Sequence, residues 1–437
     1  MTTLTFPLSR IEGHARVEIE VRDGQVLSTR FQAMEKRGFT LMVKGVPAEQ
    51  MPVIVPRICG VCSTAHHVAS VKALEDAYGV QPPPLARTVR ELLLLGQIIQ
   101  NQATSLFIFT MPDRLGTDSI FHVSEEEADP ETQFSIARGA LRLRQLGTDL
   151  ITLAGGQFIH PVKAVVGGVS SGISAAAAGD FRGRLTRALP GAGELVDMYW
   201  DISLRMKERI GTWGDDQPAH YIASTGREQP NYDTEIIRVM TSAGECCQEF
   251  SATQFRQVLG FEETDYSYAG RTSYEGGVMR ANSLARANMT RRMGTRMADG
   301  YLRQLRGEFG HPAHPILLFD LCRGIELVYA IERAAALLAQ PLEGGEVDHP
   351  YTPRDGEGWG LVEAPRGPLI HHYVIENGHI ALGEFIIPTV HNMLAIERAL
   401  RVAAERYITP EAVDMELERA VGRVVRAFDP CIACATH

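Results

Sequence analysis

The chain has 437 residues, 45% of them hydrophobic, and a formal net charge of −10. This supplies a large apolar core, and the acidic balance excludes a chain whose main task is gripping nucleic acid, since phosphate binding needs an excess of Lys and Arg. No apolar run reaches the ~20 residues of a spanning helix and no secretory pattern opens the chain, so no direct membrane span is expected. The cytoplasm is the expected compartment, with membrane or periplasmic delivery through a partner left open.

In chain order, residues 14–21 alternate polar and apolar, Asp23-Gly24 follows, and residues 26–34 are apolar-rich, the pattern of a β-hairpin with one buried face. The cluster Ser9-Arg10-Ile11-Glu12-Gly13-His14 before it reads, alone, as a solvated turn. A first Cys-x-x-Cys pair, Cys59 and Cys62, leads into a helical run over 68–77. Its thiols therefore sit at a loop-to-helix junction, where amide N–H groups and the helix dipole favour thiolate. His66 and His67 fall in the first turns, and His67 reads as a packing residue. Residues 87–109 are apolar over more than half a helical circumference, which predicts a helix inside a bundle. Residues 134–153 continue the theme, as do 180–213, with Asp180 as N-cap and a break at Pro190-Gly191. Residues 167–172 lack both the Lys-Ser/Thr ending and the spacing of a nucleotide loop.

The middle, about 221–311, is mixed. Its arginines Arg280, Arg286, Arg291, Arg292 and Arg296 read as a solvated or partner-facing helix. After a helical run over 317–338, residues 359–387 with Asn377-Gly378 give a strong hairpin signal. Leu417, Ala420, Val421, Val424, Val425 and Phe428 mark one face of a last helix, which delivers Cys431 and Cys434 into the interior. The expected fold is α+β and mainly helical: one catalytic domain over 1–437, a central helix bundle with peripheral hairpins at about 5–35 and 359–390.

Of seven cysteines, Cys246, Cys247 and Cys322 read as buried structural residues. The other four form two pairs separated by most of the chain. Zinc knuckles place their pairs a few tens of residues apart, and a redox dithiol needs one pair in a thioredoxin-like context. Four soft thiolates suit nickel, iron or zinc, and spacing leaves structural zinc and a catalytic metal equally open.

Taken together, the motifs resemble the large subunit of nickel-iron hydrogenases. Arg57-Ile58-Cys59-Gly60-Val61-Cys62 with His66 resembles that family's first motif, and Asp429-Pro430-Cys431-Ile432-Ala433-Cys434 with His437 its last. Arg10 to His14, Glu363-Ala364-Pro365-Arg366-Gly367, and Pro388-Thr389 with Asn392 match in kind and order, so the resemblance spans about 7–437. It implies a fold of that type and reversible heterolytic cleavage of dihydrogen to protons and electrons. Cys59, Cys62, Cys431 and Cys434 would ligate nickel, with Cys62 and Cys434 bridging to an iron that carries cyanide and carbon monoxide. Arg366 and Thr389 would donate to cyanide, and His66 would hydrogen-bond a bridging sulfur. Cys431 would pass the proton to Glu12, with Arg366 beside Asp429 as an alternative or assisting base, and Pro365 in the supporting shell.

Two departures stand out. Thr40 follows Arg37-Gly38-Phe39 where many relatives carry a Glu that helps hold magnesium near the C-terminal His, so the ion expected at His437 and the Phe385 carbonyl is in question. Asn101 stands where many relatives have Asp.

The resemblance further implies an iron-sulfur small subunit, further electron-transfer subunits with flavin, a maturation protease and nickel-insertion factors; the ending at His437 looks like the processed form. The branch it looks most like is cytoplasmic, multimeric and coupled to a soluble carrier such as NAD(P). The alternatives are a membrane-linked uptake enzyme, a hydrogen sensor and, outside the class, a structural zinc homologue.

Overall fold

A seam of small residues brings the first cysteine pair and the Pro365-Arg366 turn to the same place. The helix Ser63–Tyr78 runs antiparallel to the strand Gly356–Ala364. A Cβ on Gly360 would lie 1.9 Å from the Ala69 carbonyl oxygen, and one on Gly358 would lie 2.1 Å from that of Ala73. No residue with a side chain fits at this approach, so the glycines set it. The N-terminal end of the helix thus lies beside the C-terminal end of the strand.

The structure, a computed structural model, describes residues 1–121, 130–210, 217–409 and 413–437. The main buried apolar cluster draws on residues from Ala15 to Ala435 and is built on the helices Pro84–Ala103, Pro130–Gly155, Ala175–Arg205 and Leu318–Leu337. By length and composition, Pro84–Leu115 is apolar enough to cross a membrane, contrary to the sequence count, but 83% of that window is buried inside the fold, as in a core helix.

The strands form small sheets, and the expected peripheral placement of the C-terminal hairpin is corrected: Gly367–Glu376 is buried along most of its length. Thr2–Pro7, Ala15–Arg22 and Gln25–Ala33 form an antiparallel sheet, adding one strand to the expected hairpin. Gly356–Ala364, Gly367–Glu376 and His379–Ile386 form another, likewise one strand richer. The middle folds as a four-stranded sheet over a second apolar cluster that includes Ile222, Val239, Phe250 and Ile370.

Several expectations are corrected. Pro190 does not end its helix: Phe181, Leu185, Ala192, Leu195 and Val196 form a buried face on both sides of it, and that packing outweighs one missing N–H bond. The N-cap is Ser174, whose hydroxyl accepts from the Ala177 amide, rather than Asp180. Of the 180–213 run, residues 211–213 lie outside the described residues. Cys246 and Cys247 are exposed on the strand Cys246–Ser251, whereas Cys322 is buried. Arg280 and Arg286 are buried rather than solvated.

Candidate metal centre

Four chain segments converge on one point, and positive backbone φ values aim the first and the last of them. The last long helix, Leu417–Phe428, ends at Asp429 in the left-handed region with φ 47°. Its open carbonyls are capped by side chains: Arg323 Nη2 donates to Ala427 O at 2.6 Å and Asn282 Nδ2 to Phe428 O at 2.9 Å. Arg10 (φ 58°) and Asn282 (φ 82°) also have positive φ. Non-glycine residues pay roughly 1–3 kcal/mol for such conformations, which persist where the surroundings enforce them. Gly13, at φ +82°, lets the Glu12 loop reach the C-terminal segment; a Cβ there would meet Ile432 Cβ at 2.8 Å.

The Sγ atoms of Cys59, Cys62, Cys431 and Cys434 all lie within 4.8 Å of one another and are buried. Cys431 Sγ is 3.4 Å from Cys59 Sγ, 3.7 Å from Cys62 Sγ and 2.8 Å from Cys434 Sγ. None of the four is in a disulfide. Convergent, unoxidised, water-shielded soft donors fit a thiophilic transition metal. Cys62 is the N-cap residue of Ser63–Tyr78. Hydrogen bonds from the Cys431 and Cys434 thiols hold Cys62 well below the usual thiol range, with the Arg366 guanidinium assisting, while burial pushes Cys431 and Cys434 well above it.

The sequence-derived residues surround these sulfurs. The Cys431 thiol donates to Glu12 Oε2 at 3.0 Å, and the Ala433 amide donates to the same oxygen at 3.1 Å. Arg366 donates from Nε to the Asp429 carbonyl at 2.5 Å, from Nη2 to Asp429 Oδ1 at 3.1 Å and from Nη1 to Cys62 Sγ at 3.3 Å. Burial opposes its charge, but Asp429 and the cysteine sulfurs hold it protonated well above the ordinary range. In this arrangement Arg366 donates through three of its N–H groups. Asn101 Nδ2 donates to Asp429 Oδ2 at 3.3 Å, so the amide takes up the carboxylate oxygen that Arg366 leaves. The Thr389 hydroxyl accepts from the Cys431 amide at 3.1 Å, which leaves its hydrogen for another acceptor. The Pro365 carbonyl accepts from Arg286.

His66 Nδ1 is 2.9 Å from His371 Nε2, His371 Nδ1 is 2.8 Å from the Tyr373 hydroxyl, and that hydroxyl donates to Ser70 Oγ. Burial lowers the His66 pKa to about 4, so the imidazole is neutral. His371, also driven neutral by burial, and Arg286 are members of the site's surroundings that the sequence reading missed.

The second-ion corner is built differently. Thr40, Phe385 and His437 line one cavity of about 470 Å³ with Lys36, Glu263 and Glu384. His437 Nδ1 is 2.8 Å from the Cys434 carbonyl, and its ring meets Phe385 edge-on. Glu384 is committed to His372 and Arg256. Among the described residues, the four cysteines are the one grouping of three or more metal-ligating side chains. An imidazole, a hydroxyl and a carbonyl without a converging carboxylate are a poor donor set for a magnesium-like cation.

A family model described as nickel-dependent hydrogenase matches residues 37–138 and 211–437, and one described as HoxL-like matches 5–35. An F420-non-reducing hydrogenase subunit of Methanothermobacter thermautotrophicus is 31% identical, covering 100% of this chain and 95% of the relative. The beta subunit of the NAD-reducing hydrogenase HoxS of Cupriavidus necator is 28% identical over 99% of this chain and 93% of the relative. A crystal structure of an NAD+-reducing NiFe-hydrogenase in the H2-reduced state matches with TM-score 0.92 and 29% identity, covering 100% of both chains. A NiFeSe-hydrogenase of Dm. baculatum shares the fold at TM-score 0.82 and 22% identity, again over 100% of both chains.

Proposed function

The chain belongs to the nickel-dependent hydrogenase family, as the large subunit of an oxidoreductase acting on dihydrogen, and from that premise we propose the roles of its site residues. Cys59, Cys62, Cys431 and Cys434 would hold a nickel-iron centre, with Cys62 and Cys434 also serving the iron, which would carry cyanide and carbon monoxide. When bound, this centre supplies the Lewis acidity that splits dihydrogen heterolytically and the redox capacity for two electrons.

The protein's task is proton removal in a dry, fixed setting. The observation that carries this reading is the 3.0 Å contact between Cys431 Sγ and Glu12 Oε2. A sulfur that gains a proton is already hydrogen-bonded to the carboxylate that relieves it, so transfer needs no rearrangement. Glu12 is only half-buried, and it stands between the buried sulfurs and the outside. Arg366, oriented by Asp429, and the Thr389 hydroxyl supply donors for anionic ligands at the centre. Glu12→Gln keeps the shape and removes the base: nickel content is expected to stay normal while hydrogen oxidation falls roughly 100-fold or more. Wild-type oxidation and proton exchange in that variant would refute the assignment.

Other subunits complete the enzyme. We infer that electrons pass to an iron-sulfur small subunit, because the relatives are themselves named as subunits. Flavin-bearing subunits, a soluble carrier such as NAD(P) and a cytoplasmic location follow by likeness to the subunit of an NAD-reducing enzyme.

A further inference from the structure

The turn that carries Arg366 is gripped from behind by a second arginine. The strands Gly356–Ala364 and Gly367–Glu376 pair Ala364 with Gly367, so Pro365 and Arg366 form the two-residue tip of a hairpin. Arg286, on the short helix Ser283–Met289, lies behind that tip and is 2% exposed. Its Nη1 donates to the Ala364 carbonyl at 3.2 Å and to Glu363 Oε1 at 2.7 Å. Nη2 donates to the Pro365 carbonyl at 2.7 Å and to Glu326 Oε2 at 2.8 Å, and Nε donates to Glu326 Oε1 at 2.6 Å. A guanidinium has five N–H groups, and these contacts use all five.

The grip is rigid because its own anchors are fixed. Glu363 accepts from the Ser224 amide at 2.8 Å and hydroxyl at 2.7 Å, and Glu326 accepts from Gln102 at 2.5 Å. The residue after the tip closes the other side: a Cβ on Gly367 would meet Ala281 Cβ at 2.9 Å. The side chain of Arg366 then leaves the tip toward Asp429 and Cys62.

We infer that Arg286 is a positioning residue for the reaction: by holding the Ala364 and Pro365 carbonyls it fixes where the Arg366 guanidinium stands relative to Cys62. A bland alternative is that Arg286 merely neutralises Glu326 and Glu363. Lysine separates the two. It keeps the charge, but three N–H groups on one atom cannot serve two carboxylates and two carbonyls at once. The inference rests on the reading that Arg366 is a working donor at the centre, so the test includes Arg366→Lys.

In the assembled holoenzyme, Arg286→Lys is expected to keep its nickel while turnover per nickel falls between about 10-fold and 100-fold with little change in KM, the scale of a misplaced positioning group. In an Arg366→Lys background the same change should cost less than about twofold, because the two act as one unit. Hydrogen exchange provides a readout independent of activity: the peptide over 363–369 should exchange faster in Arg286→Lys, while peptides of Leu318–Leu337 should not. If Arg286→Lys does not fold, Glu326→Gln takes its place, since an amide NH2 turned toward the guanidinium breaks one of its two parallel bonds, and the same coupling is expected. Unchanged turnover per nickel, unchanged exchange at 363–369, or additive losses in the double variant would overturn the inference. An Arg366→Lys enzyme with full activity would instead overturn the reading beneath it.

Discussion

Two corners lie at the C-terminal end of this chain, one around Cys431 and one around His437, and they are built on opposite plans. At Cys431, four sulfurs, a carboxylate and a guanidinium from distant segments converge on one point. At His437 the described residues form no such grouping of side-chain ligands, and the polypeptide fastens itself: the Arg37 amide donates to Thr436 O at 2.8 Å and Arg37 Nη1 to Ile58 O at 3.1 Å. Proximity to a chemical centre does not make a metal site. Convergence of donors matched in softness and charge does.

The largest effect that bears on this contrast is loss of the soft site. Cys434→Ala removes one of four convergent thiolates and should abolish nickel retention, whereas Thr40→Ala in the other corner should leave nickel content unchanged; metal analysis of both proteins checks this. Nickel retained by Cys434→Ala would break the contrast.

Next is a pH effect that tests whether both corners rest on an equally dry interior. His67, on the Cys62 helix, and His391, whose ring lies beside Phe255 of the corner cavity, are both lowered to about 4, in each case chiefly by burial. Their ordinary value is 6.5, so as pH falls the unfolded chain takes up protons first. The contribution is fully present above pH 6.5 and is lost as pH falls toward 4, at about 1.4 kcal/mol per pH unit for each imidazole. Denaturant titrations of the metal-free chain between pH 7 and 4 should show this slope, and His391→Asn should halve the share of the pair. A flat profile would mean that water reaches these rings.

The smallest effect sharpens the comparison by trying to convert one corner into the other. Thr40→Glu supplies the missing carboxylate, and the variant should bind one divalent cation per chain with weak, millimolar to micromolar affinity, while the parent binds none there after chelation. Calorimetric titration with magnesium reads this directly. A chelator-resistant divalent ion in the parent would contradict the account of the corner.

Much of the centre was legible before any coordinates. The two Cys-x-x-Cys pairs, the Arg10 to His14 cluster and the Glu363 to Gly367 run carry their chemistry in residue type and order, and the apolar face of Leu417–Phe428 showed that the last pair is delivered inward. What stayed hidden depends on packing between distant segments. Gly358 and Gly360 look like loosened strand positions until the helix is laid on them. Pro190 looks like a break because local sequence does not show the face that carries the helix past it. Arg286 reads as solvated in a run of arginines with Arg291 and Arg292, because Glu326 and Glu363, which make its burial tolerable, lie on other elements.

The central claim is that the four convergent cysteines hold a nickel-iron centre rather than a structural ion. Metal analysis combined with infrared spectroscopy of the purified protein with its partner subunits tests it most directly. Nickel bound to the protein, with bands in the cyanide and carbonyl region, is the predicted result; zinc alone, with no such bands, would contradict it.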